Sequence, residues 1–350
     1  MDIPGPGPRA FDPPPVANIR FATSVKLSDV STSTVVDVSA DPQIALGHAS
    51  VTLQSDIAFA SRQAVDGSQR TLRLDIQQPA AGEPHPLVIY VCGGGFWYAM
   101  KASGLGLRTF VAESGFVVAS VEYRTVADGA RWSDAVSDVK EAIRFLRSQA
   151  STYGIDPTRV GLWGESAGGY LAAMAALTNG MQRFDVGANL DQSSAVAGVV
   201  DKFGPSNLAL VKADFDEESQ RAFNAIGEVV AAFVYGAGSR MAISDDLEAV
   251  RAAYPSTYAS IDSPAFFLLH GSNDRLVSPS QTLLLHEALR AAGADTCRWV
   301  LKDADHGDMP LLGPDANVHY WSTTTVMAAM VAFFKRTLKL PVEPAGAPRG

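Results

Sequence analysis

Ser166 stands in Gly164-Glu165-Ser166-Ala167-Gly168, a G-x-S-x-G pattern. The apolar run Arg159-Val-Gly-Leu-Trp163 precedes it, and the small-residue run Tyr170-Leu-Ala-Ala-Met-Ala-Ala-Leu177 follows. A strand, a sharp turn and a helix form the context that holds a serine hydroxyl out at the top of a sheet. Glycines flank it because side chains there would strike the neighbouring strand and helix. A serine hydroxyl is a poor nucleophile at neutral pH. It needs a base to take its proton and a carboxylate to orient that base. Both follow in the chain. Asp274, in Leu269-His-Gly-Ser-Asn-Asp-Arg-Leu-Val-Ser-Pro279, comes directly after an apolar run and leads into a helical pattern. His306, in Lys302-Asp-Ala-Asp-His-Gly-Asp308, lies in a loop after the last expected strand. Loops at strand ends are where catalytic groups concentrate. The rival carboxylates fit less well: Asp245 and Asp246 fall in an irregular stretch, and Asp303 and Asp305 crowd the histidine. Among the histidines, His48 and His85 precede the serine, His270 sits on the strand leading to Asp274, and His286 lies inside a helix. His319 is the main rival to His306.

A fourth part is Val91-Cys-Gly-Gly-Gly-Phe96, after the first buried run. Acyl transfer passes through a tetrahedral anion, and backbone N–H donors aimed at it contribute about 3–4 kcal/mol each. The expected donors are the N–H groups of Gly93, Gly94 and Ala167. A phosphate loop is the alternative reading, but the Gly-Lys-Ser/Thr ending of a Walker motif is absent and the dinucleotide pattern fails. Phe96, Trp97 and Glu165 flank the loop and the serine and are the expected substrate contacts, with Tyr98 nearby. Phe215, Phe223, Phe233 and Tyr235 are candidates for a covering lid. Ordinary core packing is the competing role for these aromatic side chains.

The elements that must position these groups alternate. Leu87–Val91, Phe116–Val121, Val160–Trp163, Val196–Val200 and Ala265–Leu269 are apolar runs of the kind buried on both faces of a sheet, and Cys297–Leu301 is the expected last strand. Helical patterns over Asp134–Gln149, Ser280–Ala292 and Thr323–Leu338 lie between or after them. Such alternation makes a mostly parallel sheet covered on both sides. Val51–Ala60 and Thr71–Gln77 alternate apolar and polar around Asp66-Gly67, which reads as an antiparallel hairpin. Residues 1–50 form an N-terminal extension, with a Pro- and Gly-rich arm over 1–18, and residues 51–340 form the main domain. About 205–262 is an insertion between two strands, with a helix over Ala222–Phe233, placed to act as a lid at the sheet's carboxyl edge.

Composition narrows the partners. The 350 residues are 47% hydrophobic and 19% charged, enough for a substantial core. The formal net charge is −9 with no basic stripe, which argues against nucleic acid and anionic membrane surfaces. No run of about 20 apolar residues is present, so no membrane span is expected. Cys92 and Cys297 form neither a metal spacing nor a disulfide framework. A reducing, cytoplasmic setting and a monomer or homodimer are the expectations.

Taken together, the chain resembles serine esterases of the α/β-hydrolase superfamily, and most of all the hormone-sensitive-lipase-like esterases and the neighbouring bifunctional carbohydrate/feruloyl esterase group. The resemblance runs from Leu87 to about Leu338, through Cys92-Gly-Gly-Gly-Phe96, Val121-Glu-Tyr-Arg124, Tyr153-Gly-Ile-Asp-Pro157, Gly164–Gly169, His270-Gly-Ser-Asn-Asp274 and His306-Gly307. It implies the α/β-hydrolase fold with an eight-stranded, mostly parallel sheet, a Ser166–Asp274–His306 triad and no cofactor or metal. It also implies that the N-terminal part and the insertion shape the pockets for a small ester or lactone. The group usually has His-Gly-Gly-Gly where this chain has Cys92-Gly-Gly-Gly95, so the loop must be held differently. Three other readings remain: an amidase or peptidase, a cyclase or dehydratase on the same scaffold, and a receptor without catalysis.

Overall fold

The computed structural model describes residues 19–22, 29–63, 67–80, 82, 84–222, 224–308 and 319–339. The arm over 1–18, Asp66 of the hairpin turn and Phe223 of the lid candidates lie outside them. In chain order the strands are β1 (Thr34–Val36), β2 (Val51–Gln63), β3 (Gln69–Pro79), β4 (His85–Val91), β5 (Val117–Val121), β6 (Ile155–Glu165), β7 (Gly198–Lys202), β8 (Ala265–Gly271) and β9 (Thr296–Leu301). The helices are α1 (Leu105–Glu113), α2 (Trp132–Ser148), α3 (Ala167–Leu177), α4 (Glu217–Ala222), α5 (Asn224–Tyr235), α6 (Leu247–Ala252), α7 (Ser280–Ala291) and α8 (Thr324–Thr337).

These strands form one sheet in the order β1-β9-β8-β7-β6-β4-β5-β3-β2. Only the β2–β3 and β3–β5 pairs are antiparallel. The central strands read as apolar runs because both of their faces are covered. A Cβ on Gly161 would press on Phe334 of α8, whereas one on Gly164 would strike the backbone of α3 on the opposite face.

The fold is the α/β-hydrolase fold, with one strand more than the eight implied by resemblance. The extra strand is β1, from residues that show no clear sequence period. It pairs in parallel with β9, Thr34 opposite Trp299 and Val36 opposite Leu301. Further along the extension, Ile44 N–H donates to Ser322 O at 2.9 Å, and Thr324 N–H donates to Pro42 O at 2.8 Å, at the start of α8. The stretch between β7 and β8 carries α4, α5 and α6. Residues 19–22 are fastened to it by an antiparallel bridge from Phe21 to Phe215, with Ala22 N–H on Asp214 O and Asp216 N–H on Arg20 O. The Arg20 guanidinium meets Asp216 and Glu218. Among the described residues, no helix is long and apolar enough to cross a membrane.

Candidate active site

Ser166 follows β6, Asp274 follows β8, His306 follows β9, and the Gly93-Gly94 loop follows β4. All four therefore reach the carboxyl edge of the parallel sheet, where ligands bind in open α/β folds. Ser166 occupies a strained turn, with φ 55° and ψ −124°. Such strain in a non-glycine residue persists only where its surroundings enforce it. Here the turn must pass close to β4: a Cβ on Gly168 would overlap the carbonyl of Val91. Ser166 N–H donates to Lys202 O on β7 at 2.9 Å, fixing the turn from the other side.

The three side chains are in hydrogen-bond contact. His306 Nδ1 lies 2.7 Å from Asp274 Oδ2, and Nε2 lies 2.9 Å from Ser166 Oγ. A carboxylate only accepts, so Nδ1 carries the hydrogen and Nε2 is left to accept from the serine hydroxyl. Asp274 is completely buried. Burial alone would push its pKa up, but electrostatic attraction to His306 and hydrogen bonds from His270 and His306 outweigh it. Together they hold the carboxyl well below the usual carboxylate range. Its other oxygen accepts the N–H groups of Leu276 and Val277 at 2.9 and 2.8 Å. His270 is buried, with Nδ1 3.0 Å from Thr282 Oγ1 and Nε2 3.0 Å from Val277 O and 3.1 Å from Asp274 Oδ2.

The glycine loop lies against the serine. A Cβ on Gly93 would come 3.1 Å from the Cβ of Ser166, and Gly94 has φ +149° and abuts the carbonyl of Tyr98. Among the described residues, none accepts a hydrogen bond from the N–H of Gly93, Gly94 or Ala167. Three free donors thus surround the serine, a polar arrangement suited to an anion.

The BD-FAE family model matches residues 74–289, which include the glycine loop, Ser166 and Asp274. The chain belongs to the BD-FAE family. It is 29% identical over 257 residues to a probable isoprenylcysteine alpha-carbonyl methylesterase of Oryza sativa, covering 72% of this chain and 59% of that protein. It is also 29% identical over 229 residues to esterase LipQ of Mycobacterium tuberculosis, covering 65% of this chain and 51% of the relative. The chain thus spans between half and three-fifths of the length of these curated relatives. Its fold matches that of a truncated carbohydrate esterase from gut microbiota, with TM-score 0.68, 24% identity, and 85% and 100% of the two chains covered. It also matches the propionate-bound esterase Est2 of Thermogutta terrifontis, with TM-score 0.60, 22% identity, and 87% and 97% covered.

In this BD-FAE chain the glycine loop is held from β5. Tyr123, in Val121-Glu-Tyr-Arg124, is buried and donates its hydroxyl to Cys92 O at 2.8 Å. Val126 N–H on Phe96 O and the N–H groups of Trp97 and Tyr98 on Gly94 O complete the fastening. The Cys92 side chain is fully buried, and burial pushes its thiol up to about 12. It holds no thiolate at neutral pH and offers no second nucleophile.

The structure puts the expected substrate contacts in less open positions. Phe96 and Trp97 are buried. Phe96 stacks on Phe233 of α5 at 4.1 Å and meets Tyr170 edge-on at 5.4 Å. Phe215 is buried too, against Phe21. Tyr235 donates to the carbonyls of Ile243 and Asp246. Both oxygens of Glu165 are engaged within the protein, by Tyr90 Oη at 3.0 Å and Lys202 Nζ at 2.7 Å. The rivals have structural work elsewhere. Asp305 accepts His306 N–H and pairs with Arg275; Asp246 caps α6; His319 is exposed, with its carbonyl bonded to Gln43. Phe203 and Lys202 adjoin the site although no sequence pattern singles them out, and Tyr123 adjoins it from the Val121-Glu-Tyr-Arg124 stretch, which by itself gave it no role. Phe203, at φ +48°, packs its ring 4.5 Å from that of His306.

Proposed function

We propose that this protein is a serine hydrolase that cleaves a carboxylic ester or lactone through an acyl-enzyme. The observation that carries this reading is the continuous hydrogen-bonded line from Asp274 through His306 to Ser166, beside three free N–H donors. Family membership and the esterase names of the curated relatives support it.

His306 Nε2 takes the Ser166 proton as Oγ attacks the carbonyl carbon. Asp274 keeps the imidazole in the required tautomer and stabilises its charged form. The oxygen of the tetrahedral intermediate gathers charge toward the N–H groups of Gly93, Gly94 and Ala167. Collapse of the intermediate breaks the ester C–O bond, and His306 returns the proton to the leaving alcohol. Water, deprotonated by His306, then attacks the acyl-serine, and Ser166 leaves with the proton. In this reading no cofactor takes part.

The insertion over about 205–262 acts as the lid. Phe233 stacked on Phe96 joins it to the glycine loop, and the bridge from Phe21 to Phe215 joins it to the N-terminal extension. Cys92 and Cys297 are both free, in keeping with a cytoplasmic protein.

The test compares wild type with Ser166→Ala on p-nitrophenyl acetate, p-nitrophenyl butyrate and the matched anilides. We expect ester hydrolysis in the wild type, a loss of at least about a thousandfold in the variant, and little turnover of the anilides. Ester hydrolysis that survives in Ser166→Ala sinks the mechanism; faster cleavage of the anilides moves the enzyme to the amidases.

A further inference from the structure

Lys202 ends β7, a central strand in which all five residues are buried. Its side chain is 1% exposed. The ammonium makes an ion pair with Glu165 at 2.7 Å and lies 5.1 Å from the ring centre of Trp321, 5.7 Å from that of Trp163 and 5.8 Å from that of Phe203. An apolar side chain would fill such a place without the desolvation that a buried cation requires, and a buried pair adds little net stability over one. What the pair does provide is a fixed geometry between two strand ends. Glu165 immediately precedes Ser166, and Lys202 immediately precedes Phe203, whose ring backs His306. Trp321 packs edge-on against Phe203 at 4.7 Å and donates Nε1–H to Asp305 O, the residue before the histidine.

We infer that the Lys202–Glu165 pair is a positioning device that locks the residue before Ser166 to the residue before Phe203, and so holds the Ser166 hydroxyl and the His306 ring at hydrogen-bond distance. Neither side chain touches the reacting atoms, so both are positioning residues. The inference rests on the esterase reading and gives Glu165 a role away from the substrate. Tyr90 supports the pair from below, by its hydroxyl on the second oxygen of Glu165.

The experiment measures kcat and KM on p-nitrophenyl acetate, and the rate at which a fluorophosphonate labels Ser166, for Lys202→Met, Glu165→Gln and the double variant. Circular dichroism and urea unfolding accompany each. Misplacement of a nucleophile by a fraction of an ångström lowers kcat by about ten- to a hundredfold. We expect that loss in each single variant, with KM within about threefold of wild type and labelling slowed in parallel. The double variant falls no further than the worse single one, because one pair is lost in all three. Glu165→Gln keeps the volume but removes the charge that pairs with Lys202, so it carries the test if Lys202→Met does not fold. Folded single variants with kcat within about twofold of wild type overturn the inference, as do losses that multiply in the double variant. A rise in KM that accounts for the whole effect of Glu165→Gln also overturns it, and returns Glu165 to the substrate. Ser166→Ala in the same assay separates the two levels: activity in that variant refutes the esterase reading, whereas its inactivity beside fully active Lys202→Met and Glu165→Gln refutes only the positioning.

Discussion

Removing the Tyr123 hydroxyl tests how the glycine loop is held where Cys92 stands in place of a histidine. Tyr123→Phe deletes one oxygen from a completely buried side chain and leaves the ring's packing intact. The bond lost is the 2.8 Å contact to Cys92 O. A net hydrogen bond contributes about 1 kcal/mol, but removing one partner and leaving a buried carbonyl without a donor costs about 1–3 kcal/mol. Unfolding free energy should therefore fall by about 2 kcal/mol. The consequence for activity is separate. Gly93 and Gly94 directly follow the carbonyl that is released, and each oxyanion donor contributes about 3–4 kcal/mol when well aimed. The contacts at Gly94 O and Phe96 O remain and limit the movement. Losing a third to a half of one such contribution costs about 1–2 kcal/mol, which is about five- to thirtyfold in kcat/KM. Urea unfolding gives the first number and p-nitrophenyl acetate kinetics the second. A destabilised variant with wild-type kcat/KM would refute the claim that Tyr123 aims the loop. Unchanged stability would show that the hydroxyl does not serve the buried carbonyl at all.

Two further outcomes follow from buried groups. Burial pushes the Asp201 carboxyl up to about 7 from 3.8, against the Gly204 N–H that draws it down. Folded and unfolded chains both hold this proton below pH 3.8. Between there and about pH 7 only the unfolded chain releases it, so stability falls as pH rises, by about 4 kcal/mol in all, and is flat above. Asp201→Asn, which can still accept the Gly204 N–H, should unfold at higher urea than wild type at pH 8, with the gap closing by pH 4; a gap of the same size at both pH values, or a less stable variant at pH 8, counts against it. For Cys92, whose thiol is pushed up to about 12, an aromatic disulfide reagent applied to the native protein should reach no thiol faster than that of Cys297 on the surface, and the proposed ester hydrolysis should persist. Rapid modification of both thiols with loss of activity would refute that burial.

The residues that do the proposed chemistry are legible because their signals are local. Ser166 is marked by glycines within two positions of it, and Asp274 and His306 by loops that directly follow expected strands. The central strands β4 to β8 announce themselves because burial on both faces leaves a run of apolar residues that no partner's identity alters. Helix α1 is harder to see, since Gly106 and the buried Arg108 interrupt its apolar stripe. Strand β1 is three residues long, and its partner on β9 lies more than 260 positions away, so neither length nor period marks it. The same distance in sequence hides the fastening of the site. Nothing near Cys92 names Tyr123 as the donor to its carbonyl, and nothing near Glu165 shows that Lys202 and Tyr90 will take both of its oxygens. The sequence by itself determined the chemistry on offer, the order of its parts and the sheet that carries them, because turns, caps and apolar runs are set by neighbours along the chain. The tertiary structure alone decided what holds those parts at bonding distance, because that depends on sheet register and on which side chains meet across strands far apart in the chain.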